Sequence, residues 1–300
     1  MYKPHTDKFD LKPILQEVWE SKYDFHSPIP DRPSYIFEII DGDNQYGVAV
    51  PGSIVEVSGL SKTRKSTLIS LFAAAALSPD KIALNVKSSM EGSVVWIDTE
   101  QNDTEFKYFQ KRLHRVAKLS DNSSNYFAFN IRKYDELVRL DVVEYLLYKI
   151  FKEKGPIGLL VIDGIADFTY NANEQEPTKK LVTQMCTWAD NYNPAIFTAI
   201  HTNKDGKNST GALGGFLDKK CSYHIRTEQE DGFNSATIVT AGMARAGESF
   251  RPFRFTHGVD GLPRLDSGLG IYGDDSTTSL PDNPKEHVKR FLKSNEELPF

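Results

Sequence analysis

The chain has 300 residues, of which 39% are hydrophobic and 26% are charged, so one large domain with extensions can bury its own core without disulfides or a structural metal. The net charge of −5 and the pI of about 5.9 exclude a surface that is cationic throughout, and any nucleic-acid binding must come from local basic loops. No apolar run approaches the about 18 residues of a membrane span, no secretion signal is visible and only two cysteines are present, so we expect a cytoplasmic protein without a membrane partner.

The first 45 residues differ in composition from the rest. Residues 1–34 are polar and contain five prolines, which predicts an arm or linker with one short helix within 15–25. From Tyr35, two apolar runs on either side of a DGDN turn predict a β-hairpin. We therefore assign 1–45 to an N-terminal arm that includes the start of the hairpin, and the main domain to 46–265.

Strands and helices alternate between residues 54 and 200. Strands are predicted at 54–58, 94–98, 126–131, 157–163 and 195–200, and helices at 66–77, 106–119, 136–154 and 181–192. This order predicts an α/β fold whose sheet is mostly parallel, with helices on both faces. After Lys220 the pattern changes to strands alone, which predicts an antiparallel extension of the sheet. Residues 266–300 are low in apolar side chains, and we expect a polar tail there with at most a short helix.

A glycine-led loop joins the strand at 54–58 to the next helix, the context of a phosphate-binding loop. In such a loop the backbone N–H groups surround the phosphates, Lys65 would neutralise them, and the Ser66 hydroxyl would reach magnesium. The usual pattern has glycine where this chain has Arg64, so either the loop tolerates a side chain that points outward or the site is degraded. The alternative is a basic loop that only caps a helix. The predicted nucleotide-binding residues are Gly59, Leu60, Ser61, Lys62, Thr63, Arg64, Lys65, Ser66 and Thr67.

Two carboxylates follow the ends of predicted strands. The apolar strand of LLVIDG ends in Asp163, the Walker B arrangement in which a carboxylate holds magnesium. Glu100 comes just after the strand at 94–98, where it can orient or deprotonate the water that attacks a γ-phosphate. Asp98 and Glu100 could instead be solvated turn residues. With the loop, these residues predict ATP and Mg²⁺ as the cofactors.

Polar residues appear abruptly after the buried strand at 195–200. His201 and Asn203 could hydrogen-bond the γ-phosphate or its water, although His201 could equally be a structural histidine. The following segment, 204–215, is rich in glycine and is predicted to be a mobile loop that contacts a phosphodiester backbone. A plain surface loop has the same composition. The predicted DNA-binding residues are Lys204 and Lys207, with Lys179 and Lys180 from the loop after Asp163 as a second set.

The last candidate residue is Arg245, which follows a predicted strand of the antiparallel extension. A guanidinium on such a hairpin can reach the γ-phosphate of a neighbouring subunit as an arginine finger. Arg245 could instead form a surface ion pair.

The order of these motifs (the phosphate loop, DTEQ, VIDG, IHTNK and then an arginine hairpin) resembles the RecA-fold P-loop ATPases, in particular the ring-forming replicative and plasmid-replication helicases. The likeness is nearest to AAA-type ATPases carried by bacterial mobile elements, whose loops also lack the second glycine before the lysine. It covers about residues 46–265. The resemblance implies a RecA-like core, Lys65 and Ser66 on phosphate and magnesium, Asp163 on magnesium, and Glu100 as the catalytic carboxylate.

The resemblance also implies a homo-oligomer, either a hexamer or a filament, in which Arg245 acts in trans. In the replicative helicases a lysine usually stands two residues before that arginine, whereas this chain has Met243, which leaves a single cation. The expected function is an ATPase that acts on single-stranded DNA as a helicase or a replication or mobilisation factor, together with a replication or mobile-element protein partner. The competing hypothesis is a regulator or scaffold that uses ATP binding to switch its assembly on a protein partner. Such a protein would not translocate along DNA.

Overall fold

The computed structural model describes residues 12–29, 31–203, 206, 208–230, 235–245 and 248–266. The chain divides into two compact units, with the boundary between Pro33 and Ser34. The first unit contains helix α1 (Lys12–Glu20). This helix begins and ends earlier than the predicted range of 15–25. It does not continue to residue 25, because the Asp24 carboxylate accepts the backbone N–H of His26 and holds 24–27 in a turn.

Within the described residues, the second unit contains thirteen strands, five α-helices and one short 3-10 helix (Ile165–Phe168). The helices are α2 (Lys65–Leu77), α3 (Asp103–Val116), α4 (Glu136–Lys154), α5 (Gln175–Tyr192) and α6 (Gly211–Lys220). The strands are β1 (Phe37–Asp41), β2 (Asn44–Ala49), β3 (Ile54–Gly59), β4 (Ile82–Ala83), β5 (Val86–Ser88), β6 (Ser93–Asp98), β7 (Tyr126–Asn130), β8 (Ile157–Asp163), β9 (Ala195–His201), β10 (Tyr223–Gln229), β11 (Thr237–Ala244), β12 (Phe253–His257) and β13 (Pro263–Leu265).

The main sheet has nine strands in the order β13-β12-β11-β10-β3-β9-β8-β6-β7. The six strands from β10 to β7 are parallel, and β11 to β13 extend them in antiparallel pairing. The predicted α/β fold with a mostly parallel sheet and an antiparallel extension is therefore confirmed. Because the parallel strands share one direction, their carboxyl ends meet at one edge, which is where α/β proteins place their sites.

Helices cover both faces of the main sheet, which explains the uninterrupted apolar strands. Every residue of β8 is buried, as expected of a strand that is covered on both sides. Helix α2 is buried along almost its whole length. It belongs to a hydrophobic cluster that also includes side chains of β1, β2 and α3. Helices α4, α5 and α6 supply the cluster on the opposite face. Each fully buried leucine or phenylalanine of these clusters stabilises the fold by about 1.5–3 kcal/mol.

A smaller antiparallel sheet has the order β2-β1-β5-β4. The predicted hairpin of β1 and β2 is confirmed, with Asp41 paired to Asn44 around a two-residue turn. The sequence analysis missed β4 and β5, since strands of two and three residues carry too little periodicity to be recognised. In the described part of the chain, no helix is long and apolar enough to cross a membrane.

Two expectations about the candidate DNA-binding segments are wrong. Residues 211–215 are not part of a mobile loop but begin helix α6, because Leu213 and Leu217, one turn apart, are fully buried and packing outweighs the poor helix propensity of glycine. Lys179 and Lys180 lie in α5 rather than in a loop, and both are exposed. Lys204 and Lys207 lie outside the described residues, as does the predicted tail from residue 267 onward.

Candidate active site

The loop between β3 and α2 is fixed against strand β10. A Cβ atom on Gly59 would lie 2.4 Å from the Thr227 carbonyl oxygen and 2.5 Å from Thr63 Oγ1, so only glycine fits there. The Thr63 hydroxyl donates to the Leu60 carbonyl at 2.9 Å and lies 2.8 Å from the Thr227 hydroxyl. The loop is therefore a built feature of the fold.

Arg64 shows how the loop accommodates a side chain at a glycine position. Its backbone is left-handed, with φ 62° and ψ 34°, a conformation that costs a residue with a Cβ about 1–2 kcal/mol. Its guanidinium donates to the Ser235 carbonyl at 2.9 Å and to Thr237 Oγ1 at 3.4 Å. The side chain thus points away from the loop and toward the antiparallel extension. This favours the hypothesis that the loop tolerates an outward-pointing side chain over the hypothesis of a degraded site.

The Lys65 ammonium lies at the centre of the site and is largely buried. It donates to the carbonyl oxygens of Gly59 at 3.0 Å and Leu60 at 2.9 Å, and it lies 3.1 Å from His201 Nδ1. Burial lowers the pKa of Lys65, against the opposing charges of Glu100 and Asp163. These three neighbours are uncharged oxygen and nitrogen atoms when His201 is neutral, so an anion would attract the ammonium more strongly than they do.

His201 lies between Lys65 and Glu100. Its Nδ1 faces the lysine, and its Nε2 lies 4.0 Å from Glu100 Oε1. Burial and then the Lys65 charge lower the pKa of His201, which keeps the ring neutral at pH 7. If Nδ1 accepts from Lys65, Nε2 carries the proton and points toward the carboxylate. His201 therefore lies within the site.

Asp163 and Ser66 lie together at the end of β8. The Ser66 hydroxyl hydrogen-bonds the Asp163 carboxylate. The pKa of that carboxyl is raised to about 7, mainly by burial and also by the charges of Asp98 and Glu100, against the Ser66 hydrogen bond and the Lys65 charge, which lower it. A hydroxyl beside a carboxylate is a donor set that Mg²⁺ prefers, and a cation would relieve the repulsion among the acidic groups. These residues therefore fit the predicted magnesium site.

Glu100 reaches the same edge from the turn after β6. Its side chain is half exposed and lies against Gly164, where an added Cβ would come within 2.2 Å of Glu100 Oε1. The turn is held at its start by Asp98 and at its end by Asn102, whose side chain caps α3 by accepting from the backbone N–H groups of Thr104 and Glu105. Gly164, which follows Asp163 through a cis peptide bond, therefore makes room for the carboxylate.

Asn203 and Arg245 form their described hydrogen bonds with residues other than Lys65, Asp163 and Glu100. Asn203 is exposed, and its backbone N–H donates to the Asn208 carbonyl. Arg245 follows β11, whose end pairs with Tyr223 at the amino edge of the parallel strands. Tyr223 is level with Val55, four residue steps before Gly59 on β3, which is a distance of about 13 Å along the strand. The exposed guanidinium of Arg245 donates to the carbonyl oxygens of Asp218 and Lys219 at the end of α6.

Sequence reasoning missed two features near the loop. A cavity of about 380 Å³ opens beside it, with Ser61, Thr202, Gly206 and Arg226 in its lining. Close by, the fully buried Glu56 of β3 lies 3.0 Å from His224 Nε2 of β10 and accepts a hydrogen bond from the Ser209 hydroxyl. A charged residue inside an apolar strand such as IVEVS was the available signal, since buried carboxylates require partners.

Residues 43–207, more than half of the chain, match the family described as the AAA domain. The chain belongs to the AAA domain family. The match ends within the segment after β9, so strands β10 to β13 of this AAA-domain protein lie beyond it. No curated protein sequence matches the chain significantly.

A solved structure shares the fold. The KaiC-like protein of the hyperthermophilic archaeon Pyrococcus horikoshii superposes with a TM-score of 0.54 at 15% sequence identity, over 79% of this chain and 100% of the archaeal one. At this identity the likeness extends to the fold alone. The family and the fold together identify a RecA-like P-loop ATPase of the AAA type, which agrees with the geometry of the loop and the carboxylates.

Proposed function

We propose that this AAA-domain protein binds ATP with Mg²⁺ and hydrolyses it between the subunits of a homo-oligomer. One observation carries the proposal: Lys65, the Ser66–Asp163 pair and Glu100 meet at the carboxyl edge of the parallel sheet. They follow three separate strand ends, and a fold without a phosphate ligand has no need to bring a buried ammonium and two carboxylates together there.

Each residue of the site would have a separate role in the transfer of the γ-phosphoryl group to water. The N–H groups at the start of α2 and the Lys65 ammonium would hold the phosphates, and Lys65 would exchange its carbonyl acceptors for phosphate oxygens. Ser66 and Asp163 would hold Mg²⁺, which supplies charge neutralisation at the phosphates when bound. Glu100 would orient the attacking water and accept its proton. His201 would report the presence of the γ-phosphate to the segment that follows β9.

Arg245 supports the proposal of an oligomeric enzyme. It lies about 13 Å along the strand from its own loop, so a role at a phosphate requires a neighbouring subunit. A hexamer and a filament would both provide such an interface. Because Met243 replaces the lysine of related helicases, Arg245 would be the only cation that this strand contributes in trans among its described residues.

We further propose single-stranded DNA as the substrate on which this ATPase acts, as a helicase or as a replication or mobilisation factor. Lys204 and Lys207 lie between two segments that are tied to the site. The Thr202 N–H donates to the Gly59 carbonyl at 3.1 Å, and Thr202 pairs with Ser209 in an isolated bridge. Lys179 and Lys180 are exposed in the second turn of α5, which starts from the same edge of the sheet.

The net charge of −5 favours the competing hypothesis, in which ATP binding controls the assembly of this protein on a protein partner. ATP hydrolysis by the purified protein, with and without Mg²⁺ and with and without a single-stranded oligonucleotide, separates the two. We expect hydrolysis to require Mg²⁺ and to increase several-fold with the oligonucleotide. A Mg²⁺-dependent rate that no oligonucleotide changes, with no oligonucleotide binding at low salt, would contradict the DNA hypothesis and favour the protein partner.

A further inference from the structure

We propose that Asp98 is a positioning residue with two separate functions. One carboxylate oxygen fixes the turn that presents Glu100, and the other accepts from a water molecule bound to Mg²⁺ beside Asp163. This inference rests on the proposed ATPase function and adds a third oxygen-bearing side chain to the magnesium site of Ser66 and Asp163.

The first function follows from the hydrogen bonds of Asp98 Oδ1. It accepts the backbone N–H of Glu100 at 3.1 Å and that of Gln101 at 2.8 Å. Two N–H groups on one oxygen fix the backbone on either side of the Glu100 Cα. The carboxylate therefore determines where the Glu100 side chain starts.

The second function follows from the other oxygen. Asp98 is fully buried, and its Oδ2 has no hydrogen-bond partner among the described residues. A buried polar atom without a partner costs about 1–3 kcal/mol, and more when it is charged. Folded proteins keep few such atoms, and one beside a catalytic centre indicates a missing water or ion.

The position of Asp98 indicates which ligand is missing. Asp98 and Asp163 are the last residues of adjacent parallel strands and pair directly with each other, so their side chains lie on the same face at a strand separation of about 4.8 Å. Magnesium usually retains several waters and binds proteins through one or two carboxylates. A magnesium-bound water donates hydrogen bonds, as Oδ2 requires.

The protein groups around Asp98 do not supply that donor. The Thr99 hydroxyl donates to the Gly164 carbonyl, and the Asn130 amide donates to the Gln101 carbonyl. The pKa of Asp98 is raised to about 6, mainly by burial and also by the charges of Glu100 and Asp167, against the two backbone hydrogen bonds, which lower it. The surroundings of Asp98 are thus acidic, and a cation nearby would stabilise its ionised form.

The test measures magnesium dependence of nucleotide binding without turnover. A fluorescent, non-hydrolysable ATP analogue is bound to the full-length protein in EDTA and then titrated with Mg²⁺. Asp98→Asn retains a carbonyl oxygen for the two N–H groups but loses the second anionic oxygen. We expect unchanged analogue binding in EDTA and a half-saturating Mg²⁺ concentration that rises about tenfold to a hundredfold, the usual effect of losing an outer-shell partner.

Asp167→Asn is the matched control, because it removes the charge of an acidic residue that influences Asp98 without touching the Glu100 turn. We expect its half-saturating Mg²⁺ concentration to stay within about twofold of the parent. Asp98→Ala should shift magnesium binding as much as Asp98→Asn and lower kcat further, since it also loses the acceptor for the turn. It also provides the test if the asparagine variant does not fold.

An unchanged half-saturating Mg²⁺ concentration in a folded Asp98 variant overturns the inference and leaves the proposed function intact. An equal shift in Asp167→Asn also overturns it, because the effect would then be general electrostatics. If the parent protein binds the analogue equally well with and without Mg²⁺, the proposed function itself fails, and the inference fails with it.

Discussion

Two groups of buried acids lie close to the phosphate loop, and they differ in their partners. Glu56, inside β3, has the imidazole of His224 at 3.0 Å and the Ser209 hydroxyl on the same oxygen. Asp98 and Asp163, at the strand ends, have mainly acidic neighbours, and burial raises their pKa values to about 6 and 7. Removing the basic partner of a buried carboxylate destabilises a fold, whereas buried carboxylates that repel one another favour a cation nearby. Glu56 Oε2, like Asp98 Oδ2, has no hydrogen-bond partner among the described residues, so the comparison rests on the charges of the neighbours. We expect substitutions in the Glu56–His224 group to change stability and those at the strand ends to change activity.

The largest effect on ATP hydrolysis is expected from substitutions around Asp98 and Asp163. Lys65→Ala should abolish Mg²⁺-dependent ATP hydrolysis, because the ammonium that would neutralise the phosphates is lost, and Asp163→Ala should do the same by removing the magnesium ligand. The measurement is the steady-state rate of phosphate release, with circular dichroism as the control for folding. Hydrolysis at the parent rate by a folded Lys65→Ala protein would contradict the assignment of the phosphate loop.

Glu100→Gln should slow hydrolysis by about a hundredfold to ten-thousandfold, the usual contribution of a general base. Unlike Lys65→Ala, this variant should retain ATP, since the phosphate contacts remain while water activation is lost. Rapid filtration of the protein with radiolabelled ATP measures the retained nucleotide. Hydrolysis close to the parent rate would show that Glu100 is one of the solvated turn residues that the sequence alone also allowed.

Substitutions in the Glu56–His224 group should change the free energy of unfolding. His224→Ala leaves Glu56 buried without its imidazole partner and should lower the free energy of unfolding by about 3–5 kcal/mol. His257→Ala is the control, because burial and the charges of Arg64 and Arg112 lower the pKa of His257 to about 4, so that a neutral ring is removed. Urea denaturation measures both variants. Equal destabilisation by the two substitutions would show that the pair has no special role.

The sequence predicted the parts of both groups that depend on local pattern. The buried strands, the glycine-led loop and Asp163 all follow from apolar runs and their ends. It could not predict the pairing of Glu56 with His224, which lie 168 residues apart in the chain, or the direction of Arg64, which depends on a contact with Ser235. Helix α6 was missed for the same reason: its glycines favour a loop locally, and only the burial of Leu213 and Leu217 makes it helical. Asp98 was given no role beyond the alternative of a solvated turn residue, because the burial of its second oxygen is visible only in the folded chain.

A smaller effect is expected from Arg245, which lies at the amino edge of the parallel strands and contacts Asp218, a neighbour of His224. Arg245→Ala should bind ATP normally and hydrolyse it slowly, whereas Met243→Ala, an exposed neighbour on β11, should stay within about twofold of the parent. Mixing Arg245→Ala with Lys65→Ala chains should recover part of the activity, because some interfaces then combine an intact loop with an intact finger. If mixed oligomers form and no activity returns, Arg245 acts only on the carbonyl oxygens of α6 that it contacts in its own chain.

The smallest effect is expected in DNA binding. The helical start at Gly211 confines the candidate segment to 203–210, and its first residues are tied to the phosphate loop through the hydrogen bond from Thr202 to Gly59. Loss of the γ-phosphate at Lys65 and His201 can therefore be transmitted to Lys204 and Lys207. Each phosphate contact contributes about 0.7 to the slope of log affinity against log salt for a single strand. Replacing both lysines with alanine should lower that slope by about one to two units and leave basal ATP hydrolysis unchanged.

Lys149→Ala with Lys152→Ala is the matched control for this measurement. It removes the same charge from α4, in the last two turns before β8, and therefore at the amino edge of the sheet. Lys179→Ala with Lys180→Ala should lower the slope as the 204/207 pair does if α5 forms the second set of contacts. A fluorescent oligonucleotide titrated at several salt concentrations, with an ATP analogue present, provides all four slopes. Equal slopes for the parent, the two candidate pairs and the control would mean that DNA does not bind at this edge of the sheet. Loss of the γ-phosphate, transmitted through Lys65, His201 and Thr202, would then act on a protein partner.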